Sequence, residues 1–185
     1  AALRVGAGRL GLLVSASVEA QMGIVMPESA VFPLPDEPDA PLADAVRGEV
    51  EGADAVLIGP GFDDADATRA TVREISAHVR GCLVLDAYAL GVLPDIPRSD
   101  LPARLVLTPN REEAEILLGQ SLGRDVPAAI AEIAHDYDAV VSCYGDVVAP
   151  GGRRWRIEAG GAGLATSGSG DVLAGAVAGF CGRGL

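Results

Sequence analysis

Short apolar runs alternate along the chain with longer segments in which apolar residues recur every three or four positions. The runs of strand length cover residues 10–14, 55–58, 82–85, 104–107 and 139–142. Most of them are apolar on both alternating faces, which is typical of a central parallel strand covered on two sides. We therefore predict five such strands.

The longer segments have the spacing of amphipathic helices. In residues 66–80, Val72, Ile75 and Val79 lie at positions i, i+3 and i+7. Residues 112–118 and 126–135 repeat this pattern, and an Ala/Gly/Val helix is expected from about residue 171 onward. Alternation of strands and helices predicts an α/β layer sandwich with a mostly parallel central sheet.

Residues 27–41 differ from the rest of the chain. They contain five of its twelve prolines together with acidic side chains that include Asp36, Glu37 and Asp39. Proline removes a hydrogen-bond donor from a strand and fixes φ, so this segment is predicted to be an exposed loop.

The length of 185 residues fits a single domain. We expect residues 1–185 to form one incomplete domain of a longer protein, because the first residues read as the middle of a helix. No apolar run reaches the length of a membrane span.

The charge balance restricts the partners. The formal net charge is −12, which argues against nucleic acid and anionic membranes, since both require clustered basic residues. All fourteen basic residues are Arg. The absence of Lys excludes Schiff-base chemistry and a phosphate-binding Lys.

Three cysteines, Cys82, Cys143 and Cys181, are far apart in sequence and show no CxxC spacing. Neither a zinc site nor a disulfide framework is predicted. A reducing compartment, the cytoplasm, is the expected location.

Glycine or polar turns follow several predicted strands. Residues 59–62 read Gly-Pro-Gly-Phe, residues 86–88 read Asp-Ala-Tyr, and residues 108–110 read Thr-Pro-Asn. A fourth turn, residues 166–171, reads Thr-Ser-Gly-Ser-Gly-Asp and opens a helix. In a parallel sheet these turns would converge on the edge where ligands bind.

The fourth turn has the pattern of an anion site made without Lys. Gly168, Ser169 and Gly170 can direct backbone N–H groups at a phosphate, and the helix adds its positive dipole end. Asp171 is placed to take a proton from a substrate hydroxyl. The alternative is that Ser169 or Asp171 only caps the helix.

Two further candidates lie at strand ends. Asn110 and Glu113 have the spacing of a helix N-cap and a first-turn carboxylate, which competes with a role in a site. Asp86 follows an apolar strand and gains little from strand propensity, which favours a functional role.

Taken in order, these segments resemble the ribokinase-like superfamily, and within it the ADP-dependent NAD(P)H-hydrate dehydratases. The resemblance depends on residues 2–8 (ALRVGAG), 55–61 (AVLIGPG), 84–90 (VLDAYAL), 107–110 (LTPN) with Glu113, and 164–175 (LATSGSGDVLAG). It covers essentially the whole chain, and the last motif is the most specific. It implies a ribokinase-like three-layer sandwich.

The resemblance also implies a reaction. The hydroxyl of hydrated NADH or NADPH is phosphorylated by ADP, or by ATP in eukaryotic relatives, and loss of phosphate then restores the dihydronicotinamide. Phosphate is a better leaving group than hydroxide, which gives the nucleotide its purpose.

The same resemblance assigns roles to residues. Asp171 would be the general base, and Gly168, Ser169 and Gly170 would bind the transferred phosphoryl group. Gly61, Asn110 and Asp171 would border the NAD(P)H-hydrate, while Asp86 and Glu113 would give polar support, with Mg²⁺ held through water rather than directly. A homo-oligomer and a fused or separate epimerase are implied partners.

Two positions depart from the family pattern. The family usually has His where this chain has Asn110, and its Lys-Gly pair falls within residues 142–145, where there is no Lys. Asn110 with Glu113 also matches small-molecule kinases. A kinase of a vitamin-precursor alcohol and a non-catalytic remnant of the dehydratase are therefore the alternatives.

Overall fold

The computed structural model describes residues 1–37 and 40–185. In these described residues, eight strands and seven α-helices follow one another, mostly in alternation. The strands are β1 (Gly11–Ser15), β2 (Ala30–Leu34), β3 (Ala55–Ile58), β4 (Cys82–Leu85), β5 (Arg104–Leu107), β6 (Val140–Cys143), β7 (Asp146–Val148) and β8 (Arg154–Arg156). The helices are α1 (Glu19–Val25), α2 (Asp44–Gly52), α3 (Ala65–His78), α4 (Tyr88–Val92), α5 (Arg111–Leu118), α6 (Val126–Asp136) and α7 (Ser169–Gly182).

The central sheet has six strands in the order β3-β4-β5-β6-β7-β8. The first four strands are parallel, and β7 and β8 are added antiparallel. The register aligns Ile58, Leu85 and Leu107, so β3, β4 and β5 end in one row. The predicted mostly parallel sheet is confirmed.

The sheet is covered on both faces. Leu83 and Leu85 of β4 belong to the main hydrophobic core, which also contains the apolar sides of α2 to α6. Cys82 and Val84 alternate to the opposite face and are also buried, on the side of the sheet where α7 packs against β3 and β4. The result is the predicted sandwich of three layers.

Three predicted helices are present with small shifts at their ends. Residues 66–80 correspond to α3, residues 112–118 to α5 and residues 126–135 to α6. The buried face of α3 contains Val72 and Ile75, as the spacing predicted.

The prediction of a loop at residues 27–41 is wrong for residues 30–34. These residues form β2, which pairs in parallel with β1 in a separate two-stranded sheet. Pro33 is tolerated there because β2 has only one strand neighbour among the described residues, so its other edge needs no ladder donor. Pro38 and Asp39 of this segment lie outside the described residues.

The expectation for the first strand is also wrong in part. Residues 11–14 of the predicted run do lie in a strand, β1, but it lies outside the central sheet and none of its residues is fully buried. The ends of β1 are exposed and its middle is half-buried. An apolar run of five residues therefore does not reveal which sheet it joins.

Helix α7 is held close to the beginning of the chain, where residues Ala2–Val5 form a 3₁₀ helix. A Cβ atom on Gly179 would lie 2.5 Å from Cγ2 of Val5 and 2.9 Å from the carbonyl oxygen of Ala2. Arg183 donates a hydrogen bond of 2.9 Å to the Val5 carbonyl. Glycine on this face of α7 thus allows the two helices to touch.

Among residues 1–37 and 40–185, no helix combines the length and the apolar character needed to cross a bilayer.

The contact at Gly179 predicts a stability effect. Gly179→Ala should lower the free energy of unfolding by about 1–3 kcal/mol, because the added methyl group displaces the Ala2–Val5 helix. Urea denaturation followed by circular dichroism measures this change.

Gly23→Ala is the matched control. Gly23 is exposed in α1, and a Cβ atom there meets nothing within 4 Å. The substitution should leave stability unchanged or raise it by about 0.5–1 kcal/mol, since alanine is the better helix former. Equal effects of the two substitutions would show that the α7 contact does not constrain the fold.

Candidate functional site

The carboxyl ends of β3, β4 and β5 bring three predicted turns together. The backbone N–H of Asp86 donates to the Ile58 carbonyl (3.1 Å), and the N–H of Thr108 donates to the Leu85 carbonyl (3.2 Å). The parallel ladder therefore extends one residue beyond each strand, and Gly59, Asp86 and Thr108 follow the strands side by side.

Gly59 packs directly on the backbone of Asp86. A Cβ atom on Gly59 would lie 1.7 Å from the Asp86 carbonyl oxygen, and the φ angle of Gly59 is 134°. Both facts exclude any other residue without a shift of the backbone. Gly61, in the same turn, has a φ angle of 88° and open space where a Cβ would be.

The Asp86 side chain is buried, with 5 % of the residue exposed. Thr108 Oγ1 donates a hydrogen bond of 2.7 Å to Asp86 Oδ1. Burial raises the pKa of Asp86, hydrogen bonds from Thr108 and the Ala87 N–H partly oppose this, and the charge of Asp171 raises the pKa further. Asp86 is therefore a carboxyl group for which ionisation is costly.

The residue after Asp86 has an unusual backbone. Ala87 has φ 49° and ψ −126° and forms the N-cap of α4. A non-glycine residue with positive φ is strained by about 1–3 kcal/mol. The turn that presents Asp86 is thus held in place by the surrounding contacts, which include the Gly59 backbone.

Asn110 and Glu113 form a capping box at the start of α5. Asn110 Oδ1 accepts from the Glu113 N–H (3.0 Å), and Glu113 Oε2 accepts from the Asn110 N–H (2.7 Å). The capping alternative left open by the sequence is therefore realised. Burial raises the pKa of Glu113, the Asn110 N–H lowers it, and the charges of Asp86 and Glu112 raise it.

The first turn of α7 presents free backbone donors. The N-cap is Gly168, with φ 80° and no side-chain capping bond. Among the hydrogen bonds of the described residues, the N–H groups of Gly170 and Asp171 donate to no acceptor. A Cβ on Gly168 or Gly170 would meet nothing within 4 Å, so the space above these amides is open. The alternative that Ser169 or Asp171 caps the helix is wrong.

Asp171 lies in this open turn with its side chain exposed. It is close enough to Asp86 for its charge to raise the pKa of the buried carboxyl. The charge of Asp86 in turn raises the pKa of Glu113. Three predicted site residues from β4, α5 and α7 are therefore brought into one electrostatic group.

One expectation about the strand ends needs correction. The turn at residues 166–171 does not follow a parallel strand, because the preceding strand is β8, which is antiparallel and ends at Arg156. The long connection that contains the 3₁₀ helix Ala162–Leu164 brings α7 back to the site. The convergence holds for Asp171 through α7 packing on β3 and β4 rather than through strand order.

Two residues that position Asp86, Thr108 and Ala87, are not among the site residues predicted from the sequence. Thr108 was noted only as part of a turn, although a Thr placed one residue after a parallel strand can reach the residue that ends the neighbouring strand. Ala87 gives no signal in the sequence, since alanine rarely adopts positive φ.

The position of the family's Lys-Gly pair is a tight turn between β6 and β7. Tyr144 has φ 53° and is 73 % exposed. A Cβ on Gly145 would lie 2.6 Å from the Ile157 carbonyl oxygen. A residue with a side chain would therefore fit at position 145 only if the backbone shifted. This turn supplies no cation.

The carboxylates at this edge of the sheet do not form a ready-made metal site. Across residues 1–37 and 40–185, no group of three or more His, Cys, Asp or Glu side chains is arranged to hold a metal ion. Asp86, Glu113 and Asp171 are nevertheless hard oxygen donors near one another. This set fits a Mg²⁺ ion that is held mainly by phosphate oxygens and water.

The buried carboxyl predicts a pH effect on stability. The folded protein holds the Asp86 proton to higher pH than the unfolded chain does, so the stability associated with this proton is lost as pH rises through the folded pKa. Asp86→Asn removes that loss. The free energy of unfolding of the variant minus that of the wild type should therefore increase as the pH rises from about 4 to about 7. Urea denaturation at both pH values measures this difference.

Asp63→Asn is the control, since Asp63 is exposed in the turn after β3 and forms no hydrogen bond or ion pair among the described residues. Its stability difference from the wild type should change little with pH. A difference for Asp86→Asn that stays constant or shrinks over this range would contradict the assignment of a costly buried charge.

Comparison with known sequences identifies relatives over the whole chain. Residues 1–184 match the sequence model of the Carb_kinase family, described as NAD(P)H-hydrate dehydratase. The ADP-dependent (S)-NAD(P)H-hydrate dehydratase of Xanthomonas campestris pv. campestris is 36 % identical over 193 residues, which cover 100 % of this chain and 66 % of that protein. The bifunctional NAD(P)H-hydrate repair enzyme Nnr of Moorella thermoacetica is 34 % identical over 100 % of this chain and 37 % of its own.

A solved structure has the same fold. The ADP/ATP-dependent NAD(P)H-hydrate dehydratase of Bacillus subtilis, co-crystallised with ATP and Mg²⁺ and soaked with CoA, superimposes with a TM-score of 0.75. The match covers 97 % of this chain and 66 % of that one at 24 % identity. The ribokinase-like fold class is confirmed.

The chain thus spans just under two thirds of the Xanthomonas relative and a smaller share of the bifunctional one. The match of the family model to all but the last residue agrees with the order of the motifs along the chain. The chain belongs to the Carb_kinase family of NAD(P)H-hydrate dehydratases.

Proposed function

We propose that this chain forms the reaction centre of an ADP-dependent (S)-NAD(P)H-hydrate dehydratase, a hydro-lyase that returns hydrated NADH or NADPH to the reduced coenzyme. The observation that supports this best is the first turn of α7. It combines open, unpaired backbone N–H groups with an exposed carboxylate, Asp171, in one turn.

The turn of residues 168–170 binds the phosphoryl group that is transferred from the nucleotide. The free N–H of Gly170, with the N–H of Asp171 and the dipole of α7, favours negative charge at this point. The left-handed Gly168 and the open space at Gly170 let phosphate oxygens approach the backbone. Ser169 adds a hydroxyl group to the same turn. This arrangement stabilises the transferred group without any Lys.

Asp171 is the general base. Its side chain is exposed next to the free amides, so a substrate hydroxyl held beside the phosphoryl group is within its reach. It takes the hydroxyl proton as the oxygen attacks phosphorus, and the phosphate that forms then leaves with the C–O bond electrons. Loss of a ring proton completes the elimination and restores the double bond.

Asp86 and Glu113 add two further carboxyl groups to the electrostatic group that contains Asp171. The cost of ionising the buried Asp86 falls when a cation is near, so Asp86 and Asp171 would together help to hold a Mg²⁺ ion that accompanies the nucleotide. Mg²⁺ supplies charge neutralisation for the phosphates when it is bound. Within the chain, Thr108 fixes the orientation of the Asp86 carboxylate.

Gly61 and Asn110 border the NAD(P)H-hydrate. Gly61 leaves open space in the turn after β3, where a flat nicotinamide ring can lie against the backbone. Asn110 is exposed, and its Oδ1 is occupied by the helix cap while its amide nitrogen forms no hydrogen bond among the described residues. That amide is available to an oxygen of the substrate.

The co-substrate is ADP or ATP, and the location is the cytoplasm. A homo-oligomer and an epimerase, fused or separate, complete the proposal. The bifunctional repair enzyme of Moorella thermoacetica supports a physical link between two repair activities in this family.

Regeneration of NADH tests the function. The purified protein is incubated with NADH-hydrate, ADP and Mg²⁺, and the absorbance of NADH is followed. The wild type should recover NADH only with nucleotide, and Asp171→Asn should reduce the rate by about 10²–10⁴-fold because the base is lost. Asp63→Asn should retain the wild-type rate.

The alternatives give different results in this assay. A small-molecule kinase consumes ATP with a vitamin-precursor alcohol and leaves the hydrate unchanged. A non-catalytic remnant does neither, and full activity of Asp171→Asn would remove Asp171 from the mechanism.

A pair of substitutions at one position separates the cap from the substrate contact. Asn110→Ser keeps a good N-cap and should change stability by less than about 0.5 kcal/mol, whereas Asn110→Ala should lose about 1 kcal/mol. Both remove the side-chain amide. We expect both to raise the KM for the hydrate to a similar extent while KM for ADP is unchanged, as measured by initial rates.

An unchanged KM in Asn110→Ser would confine Asn110 to its capping role. A rise in the KM for ADP alone would place it on the nucleotide side of the centre instead.

A further inference from the structure

Two cysteines meet at the edge of the sheet opposite the candidate site. Cys82 begins β4, where it pairs in register with Ala55 of β3 and Arg104 of β5. The last turn of α7 lies over this row, because a Cβ on Gly182 would be 3.8 Å from the Ala55 Cβ. Cys181 precedes Gly182 and lies close enough to Cys82 for each thiol to shift the pKa of the other.

The two thiols differ in access. Cys82 is 2 % exposed, whereas Cys181 is half-buried and lines an open cleft of about 300 Å³. The charged side chains that line this cleft are Glu51, Asp54, Arg80 and Arg104. Arg80 and Glu51 form an ion pair of 3.9 Å, while Arg104 forms no ion pair among the described residues.

The surroundings favour a thiolate at Cys181. The neighbouring Cys82 thiol lowers the pKa of Cys181, burial opposes this, and the positive charge of Arg104 lowers it further. The pKa of Cys82 is raised by the neighbouring Cys181 and by burial. The pair therefore has an accessible nucleophile and a protonated partner in contact with it.

We propose that Cys181 and Cys82 form a thiol modification site that closes to an intrachain disulfide on exposure to a peroxide. The Cys181 thiolate attacks one peroxide oxygen, the O–O bond breaks, and the hydroxide that leaves takes a proton from solvent to become water. Cys82 sulfur then attacks the sulfenic sulfur, loses its proton, and displaces a second water. Hydrogen peroxide is reduced to two waters while two thiols become one disulfide.

The disulfide would join the two elements that carry the candidate site at their other ends. Asp86 follows the carboxyl end of β4, and Asp171 lies in the first turn of α7. A link between Cys82 and Cys181 closes a loop of about 100 residues, which raises Tm on the order of 10 °C in this size range. The inference is independent of the proposed function, since neither thiol belongs to the nucleotide or hydrate contacts.

Cys143 provides a control within the same chain. It is 1 % exposed, has no thiol partner among the described residues, and burial raises its pKa to about 11. In the unfolded protein, a cysteine reagent should modify Cys181 and Cys143 at similar rates. In the folded protein, it should modify Cys181 much faster than Cys143.

The test treats the purified, reduced protein with hydrogen peroxide and maps peptides by mass spectrometry without reductant. The expected product lacks two hydrogens, contains the Cys82–Cys181 cross-link, melts at higher temperature, and reverts with dithiothreitol. Cys143→Ser should form the same product at the same rate. Cys181→Ser should form none.

Three results would overturn the inference. One is oxidation of Cys181 to sulfinic acid while Cys82 stays reduced, and another is modification of Cys143 at a comparable rate. The third comes from alkylation of the folded wild type with iodoacetamide at neutral pH. We expect Cys181 to react at least about 10-fold faster than Cys143. Equal rates would show that the cleft does not activate the thiol.

Discussion

Burial of the Asp86 carboxyl group at the end of β4 is the constraint on which the candidate site depends. The strand places it in the sheet, Gly59 leaves room for its backbone, and Thr108 binds its side chain. The strained Ala87 then turns the chain away into α4. Burial raises the pKa of this carboxyl group, and a neighbouring positive charge would lower the cost of its ionisation.

The sequence predicted the parts of the fold that depend on local pattern. Strand β4 is a continuous apolar run, and its burial at all four positions, on both faces, follows from that pattern. Asp86 is predicted because it follows an apolar strand, and Asp171 because it lies in a glycine-rich turn that opens a helix. Their proximity was inferred from parallel topology, although α7 reaches the site through its packing on the sheet rather than as the continuation of a parallel strand.

The parts that were missed depend on contacts between residues distant in sequence. β2 contains Pro33, and only pairing with β1 makes a strand of it. Cys82 and Cys181 are separated by most of the chain, so their contact follows from the packing of α7 on β4 and from no local spacing. Asn110 illustrates a different difficulty, since one side chain satisfies both the capping pattern and the motif of the family.

Helix α7 links these observations because its two ends serve different chemistry. Its first turn exposes backbone N–H groups beside Asp171, and its last turn carries Cys181 against β4. Between them, Gly175 and Gly179 let the chain's first residues pack closely. A rigid helix transmits a displacement along its axis, so an anchor at one end limits the positions that the other can take. The geometry of the first turn of α7 is therefore a property of the whole helix and of the sheet beneath it.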